Sequence, residues 1–243
     1  MLKVLSIAIL TLAASVLAGE GGAIKGSAKF DGEVPTPKVW PIPADQQAAC
    51  KCATKDGDDL VVDKASKGIK WVIVRVLDVK ASTPAPSTPV PKLDQRGCKF
   101  EPHIMIVAPG TDVEVLNPEK ATHNVRVTSM ESLQIKTNST MGPDMLTKTL
   151  KGDKIFGDIE VLQINCDMHA WMKAYVVVHD PRFAFITAAD GNFEIKDVPP
   201  GTYKLSIQHE RFGEAGGKER EVVIKAGQTT DLGEIKFKAL KPD

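Results

Sequence analysis

The stretch Ile104-Met105-Ile106-Val107-Ala108-Pro109-Gly110-Thr111-Asp112-Val113-Glu114-Val115-Leu116 decides the fold class. Two short runs rich in β-branched side chains flank Ala-Pro-Gly-Thr, where proline presets one turn dihedral and glycine frees the next. Such runs suit the pleated, half-buried surface of a strand and are too short for a stable helix. The same unit recurs outward in both directions. Upstream stands Trp71-Val72-Ile73-Val74-Arg75-Val76-Leu77; downstream come 124–128, 161–164 and 174–178. Asn117-Pro118 and Lys151-Gly152-Asp153 punctuate them, and helical periodicity is absent apart from one turn around 44–53. Many short strands between turns predict an all-β antiparallel sandwich.

A second series begins after Asp180-Pro181. Runs at 183–187, 192–195, 202–207, 220–224 and 233–237 alternate apolar and polar residues. Asp190-Gly191 is a hairpin turn, and Val198-Pro199-Pro200-Gly201 fixes another. A unit of roughly 60 residues is marginal by itself, so it is expected to dock on the first. The expected division is therefore a first sandwich over 19–180 and a small second one over 181–243. The proline-rich stretch 81–92, with Pro84, Pro86, Pro89 and Pro91, reads as an extended surface excursion of the first unit, with an interdomain linker as the alternative.

Composition narrows the function classes. The 243 residues carry 31 Lys+Arg, 31 Asp+Glu, five His and four Cys, with 42% hydrophobic residues. That apolar content excludes wholesale disorder. The balanced charge removes the electrostatic footprint of a nucleic-acid binder. Four cysteines are too few for a disulfide scaffold at this size. Lys3 followed by the apolar run Val4 to Ala14, with small Val16 and Ala18 before a cleavage point, reads as a secretory signal over 1–18. No other run reaches the roughly 20 apolar residues a membrane helix needs. The expectation is a periplasmic or secreted protein with no membrane span, in a compartment that permits disulfides.

Chemistry concentrates in Cys166-Asp167-Met168-His169-Ala170-Trp171-Met172. A thiolate, an imidazole and a thioether follow one another at three-residue spacing directly after a strand. A tight loop makes them converge, and Thr122-His123-Asn124 supplies a second imidazole from a neighbouring strand. Two His, one Cys and a weak Met suit a single copper ion as Cu(II) or Cu(I). The set holds no carboxylate for calcium or magnesium, and a thioether is a poor fourth zinc ligand. Four ligands leave no open position for substrate, which points to an electron carrier and away from an enzyme.

Three cysteines remain. Cys98 is expected to pair with either Cys50 or Cys52, because a bridge across the two-residue separation of Cys50 and Cys52 is strained. The alternative is a Cys-x-Cys soft-metal site joined by Cys98 or His103. His103 is expected on a strand edge, and His179 and His209 at the surface or between units. Met130, Met141, Met145 and Met168 fit copper handling or plain gap filling equally well. Asn138-Ser139-Thr140 is a glycosylation sequon where the host glycosylates.

His123-Asn124 followed by Cys-x2-His-x2-Met resembles the cupredoxins, the blue copper proteins, with an amicyanin-type loop spacing. The resemblance implies copper ligation by His123, Cys166, His169 and Met172, with Asn124 pinning the ligand loop. Ile24-Lys25-Gly26, Phe30-Asp31-Gly32 and the stretch from Gln95 to His103 extend it to bacterial exported cupredoxin-like, methylamine-utilisation-like proteins. Gly191-Asn192-Phe193 and Val198-Pro199-Pro200-Gly201-Thr202-Tyr203 resemble a carboxypeptidase-regulatory-like (transthyretin-like) domain. The implied fold is a cupredoxin-like Greek-key sandwich followed by that smaller sandwich. Ala170 stands where proline is frequent, and His179-Asp180-Pro181 where Asp-His-Pro is usual; neither removes a ligand. The implied function is electron transfer by a mononuclear type 1 copper site to a redox partner protein. Trp171 and Met168 would then cover the edge of His169. The competing readings are copper handling and a non-redox module that binds a surface glycan or protein through the C-terminal unit. Phe183, Phe185, Phe193, Tyr203 and Phe212 are the aromatics such a module would use.

Overall fold

The computed structural model describes residues 20–143, 145–214 and 219–238, so the signal expected over 1–18 lies outside the described residues. Nineteen short strands and three helical turns make up the described chain. The all-β expectation is met, in two packed sandwiches.

The first sandwich faces a five-stranded sheet against a four-stranded one. The larger sheet has the order β10 (Ile135–Met141), β9 (His123–Ser129), β12 (Glu160–Asn165), β13 (Lys173–Val178), β7 (Ile104–Val107). Its pairs are antiparallel except β13 with β7. The smaller has β11 (Thr147–Leu150), β8 (Val113–Leu116), β5 (Lys92–Gln95) and β6 (Phe100–Glu101). Val113 and Val115 from one sheet meet Val125, Leu162 and Val176 from the other in a single core. β13 explains its own composition. Ala174, Val176 and Val178 enter this core, whereas Tyr175 and Val177 point the other way into a separate cluster with Ile73, Ile104 and Val161. A strand covered on both faces reads as a continuous apolar run.

That separate cluster joins the two sandwiches, because Ile73 belongs to the second. The expected boundary at residue 180 differs from the strand pairing. β1 (Gly22–Asp31) lies between β15 (Asn192–Val198) and β19 (Thr229–Lys238), antiparallel to the former and parallel to the latter. β4 (Ile73–Leu77) lies between β14 (Ala184–Ile186) and β16 (Gly201–His209). β17 (Gly213–Glu214) and β18 (Arg220–Ile224) complete that sheet against β16. The N-terminal segment thus supplies an interior strand to each sheet of the second sandwich. Packing is the reason: Ile24, Ala28, Val74 and Val76 share one core with Phe193 and Leu205. The Asp190-Gly191 hairpin fits closely under β1. Gly191 has φ +75°, and a Cβ there would stand 2.2 Å from the Ala28 carbonyl oxygen, so only glycine fits.

The proline-rich stretch takes the alternative role, that of a linker between the units. It runs from β4 of the second sandwich to β5 of the first and is a crossover between them. The described part of the chain before it contains a further device, the hairpin of β2 (Val39–Pro41) and β3 (Thr54–Asp56) enclosing the one-turn helix α1 (Gln47–Cys50). Ile42 and Cys50 from this segment insert into the first core. It forms a cap over one end of the first sandwich. A second one-turn helix, α2 (Gly152–Ile155), follows β11. A 3-10 turn at Pro181–Phe183 opens with the Asp180 side chain accepting the Arg182 N–H. Among the described residues no helix is long and apolar enough to cross a membrane.

Candidate metal centre

The loop 166–172 joins two antiparallel neighbours, so its ends are fixed a strand's width apart. Inside it the backbone folds back on itself. His169 N–H donates to the Cys166 carbonyl at 3.3 Å, Met172 N–H to the His169 carbonyl at 2.9 Å, and Cys166 N–H to the Met172 carbonyl at 3.3 Å. The three-residue spacing seen in the sequence is the spacing of these turns. β9 pairs along the other side of β12 and starts at His123, which brings the second imidazole to the same end of the sheet.

Three donors meet there. His123 Nδ1 and His169 Nδ1 are 3.1 Å apart, and His169 Nδ1 is 3.5 Å from Cys166 Sγ. All three donor atoms lie within 4.8 Å of one another. Nitrogen and sulfur held by one ion at about 2.0 and 2.3 Å stand roughly 3–4 Å apart, so these residues fit a shared metal ion. His123, Cys166, His169 and Met172 are 0%, 3%, 4% and 1% exposed. Met172 ends the loop and is buried in the same core cluster as Cys166.

Electrostatics favour the thiolate form of Cys166. Burial pushes the Cys166 thiol up, but hydrogen bonds from His123, His169 and the N–H groups of Asn124 and Met168 outweigh it and bring the pKa down to about 6. A thiolate is the form that ligates metal. Burial depresses His123, yet its contacts with Cys166 and Glu119 dominate and hold it above the usual histidine range.

Asn124 ties the loop to β9. Its Oδ1 accepts the Asp167 N–H, and its Nδ2 donates to Asn138 Oδ1 at 2.8 Å and to Asp167 Oδ2 at 3.0 Å. The Asn124 N–H points at Cys166 Sγ, 3.4 Å away. Asn138, the sequon residue, is thereby engaged in the same network and donates to Asp167 Oδ2 at 3.1 Å.

Glu119 is a participant that the sequence did not signal. Its carboxylate can only accept, so His123 donates from Nε2 across 3.1 Å and keeps the Nδ1 lone pair for a metal. Burial raises the Glu119 carboxyl, but the hydrogen bonds from His123 and from the Cys98 and Gly97 N–H groups prevail and hold it below the usual range. Asn117 shapes this loop: its Nδ2 donates to the Ala121 carbonyl at 3.0 Å and its Oδ1 accepts the Glu119 N–H at 3.2 Å.

Cys50 and Cys98 form a disulfide, and Cys52 is a free, half-buried thiol. Both bridge sulfurs lie within 4.8 Å of a ring nitrogen of His169. Trp171 donates from Nε1 to the Cys98 carbonyl at 2.9 Å, with its ring 5.2 Å from that of His169. The cap and Trp171 therefore cover His169, while Met168 is 49% exposed.

His103 does not join the cysteines. It is buried where the sandwiches meet, with Nε2 2.5 Å from Glu210 Oε1 and its ring 5.4 Å from Trp71. A strand edge was expected for it, but the turn before β7 folds it inward. His179 lines a cavity of about 790 Å³ between the sandwiches, its Nδ1 donating to the Asp180 carbonyl at 3.1 Å. His209 lines the same cavity and is buried against Phe212 and Phe237. Met141 is core, whereas Met130 and Met145 are exposed. Phe183 and Phe193 are buried in the second core, with Phe185, Tyr203 and Phe212 packed against it.

The family profile described as polysaccharide lyase family 4, domain II, matches residues 167–232. A search of curated proteins finds no match. Among solved structures, amicyanin from Paracoccus versutus is 16% identical, with a TM-score of 0.33, covering 44% of this chain and 97% of its own. A purple cupredoxin from Nitrosopumilus maritimus is 16% identical, with a TM-score of 0.30 and coverage of 37% and 99%. The copper-containing nitrite reductase of Thermus scotoductus SA-01 is 17% identical, with a TM-score of 0.33 and coverage of 42% and 25%.

Proposed function

We propose that this chain is an exported, cupredoxin-like mononuclear copper protein that carries single electrons to and from a partner protein. The observation that carries the reading is the convergence of His123 Nδ1, His169 Nδ1 and a Cys166 Sγ of lowered pKa within 4.8 Å. His123, Cys166 and His169 would hold the ion, with Met172 as the weak fourth ligand. Bound copper supplies a one-electron couple between Cu(II) and Cu(I).

The chain's own residues do the rest. Cys166 presents a thiolate at neutral pH. Burial of all four side chains excludes water. Asn124 and Glu119 fix the loop and the His123 ring, so the donors keep their places when the charge between them changes. With every position filled from the protein, no site is left for a substrate, which favours a carrier over a catalyst. The proposed compartment is the periplasm or the exterior.

Protein-film voltammetry of the copper-loaded chain tests this. The expected result is a reversible one-electron wave that His123→Ala abolishes. Copper-loaded, folded protein that cannot be reversibly reduced and reoxidised would contradict it.

A further inference from the structure

The Cys50–Cys98 bridge has no role in the electron-carrier reading, yet it sits beside one of that site's imidazoles. The two sulfurs and a ring nitrogen of His169 lie within 4.8 Å of one another, all three residues buried. The backbone around each cysteine is held independently of the S–S bond. Cys98 takes an unusual left-handed φ of +51°, with its N–H on Glu119 at 3.0 Å and its carbonyl accepting from Trp171 at 2.9 Å. Cys50 closes α1 by donating its N–H to the Gln46 carbonyl at 2.9 Å. Breaking the bridge therefore leaves both side chains anchored close to His169.

We propose that reduction of Cys50–Cys98 creates a second soft-metal site, in which Cys50, Cys98 and His169 hold one Cu(I). A dithiol supplies two electrons and two protons; its own sulfurs become a disulfide, the Cys50–Cys98 bond breaks and two thiols form. Binding of Cu(I) then displaces the two thiol protons. Two thiolates and an imidazole are soft donors that select Cu(I) over the hard cations. The buried bridge becomes accessible when the cap opens, and the cap is built from two three-residue strands and one helical turn, the kind of element that opens at low cost. His169 belongs to both donor sets, so the two sites share one imidazole.

The inference stands on the cysteine–histidine cluster and is tested without the first site. The chain carrying Cys166→Ser and Cys52→Ser is treated with a water-soluble trialkylphosphine, loaded with Cu(I) and challenged with excess bicinchoninate. The expected result is one Cu(I) retained per chain after reduction and none before it, with two sulfurs and one nitrogen around the metal by X-ray absorption. Adding His169→Ala should weaken retention at least tenfold. No retained Cu(I) after reduction overturns the proposal, as does equal retention in folded His169→Ala. Should His169→Ala unfold, the ligand count of the reduced parent decides: sulfur without nitrogen overturns it.

Discussion

His123 Nε2 lies 3.1 Å from Oε2 of Glu119, whose carboxylate also accepts the Gly97 N–H at 2.6 Å and the Cys98 N–H at 3.0 Å. One carboxylate thus orients the His123 imidazole while resting on the backbone next to the disulfide. Glu119→Gln keeps the shape but removes the charge and offers an NH2 group that cannot accept from Nε2. Copper affinity is expected to fall by about 10–100-fold, read by competition with a calibrated chelator. Unchanged affinity would show that His123 needs no partner on its far side.

Asn124 is the pin between β9 and the ligand loop, holding Asp167 from both its backbone and its side chain. Asn124→Ala strands the Asp167 N–H and releases Asn138. A loss of about 1–3 kcal/mol in unfolding free energy is expected, together with faster copper release by stopped-flow transfer to a chelator. A variant that loses stability but releases copper at the parent rate would assign Asn124 to folding alone.

The second sandwich should not fold from its C-terminal sequence alone. Residues 181–243 lack β1 and β4, an interior strand of each of its two sheets. The isolated fragment is expected to give an undispersed amide NMR spectrum. Adding a peptide spanning 20–79 should restore β-sheet dispersion, and a fragment that is well dispersed by itself would contradict the pairing.

How far the sequence could be read follows from where partners lie. The closeness of Cys166 and His169 was legible because both sit on one tight loop at the spacing of its own turns. Strands such as 174–178 were legible because burial on both faces writes a continuous apolar run. The partners of a strand are not written in its own residues. Nothing in 22–31 says that 192–198 and 229–238 lie on either side of it, so the sequence places the boundary at 180. Glu119 was missed because its role depends on a loop fold that sets its carboxylate behind His123. The burial of His103, His179 and His209 arises from packing between and within sandwiches, which no local pattern reports.

His209 makes stability pH-dependent on the acid side. Burial, with His103 and Arg211 nearby, pulls its pKa down to about 4, against the opposing pull of the Lys70 carbonyl and Asp59. An unfolded histidine titrates near 6.5. Above that pH the ring is neutral in both states and the contribution is fully present. As pH falls from about 6.5 to 4 the unfolded chain takes up a proton that the folded chain refuses, and stability drops by up to about 3 kcal/mol. Urea unfolding of the parent and of His209→Gln should diverge in slope across that window. Parallel curves would contradict the assignment.

The central claim is that Cys166 ligates copper together with His123 and His169, and the visible and paramagnetic-resonance spectra of the Cu(II)-loaded chain test it most directly. The account predicts an intense visible thiolate-to-copper band with a narrow copper hyperfine splitting, both lost in Cys166→Ser. Folded, stoichiometrically loaded protein without that band, or a band that survives Cys166→Ser, would contradict it.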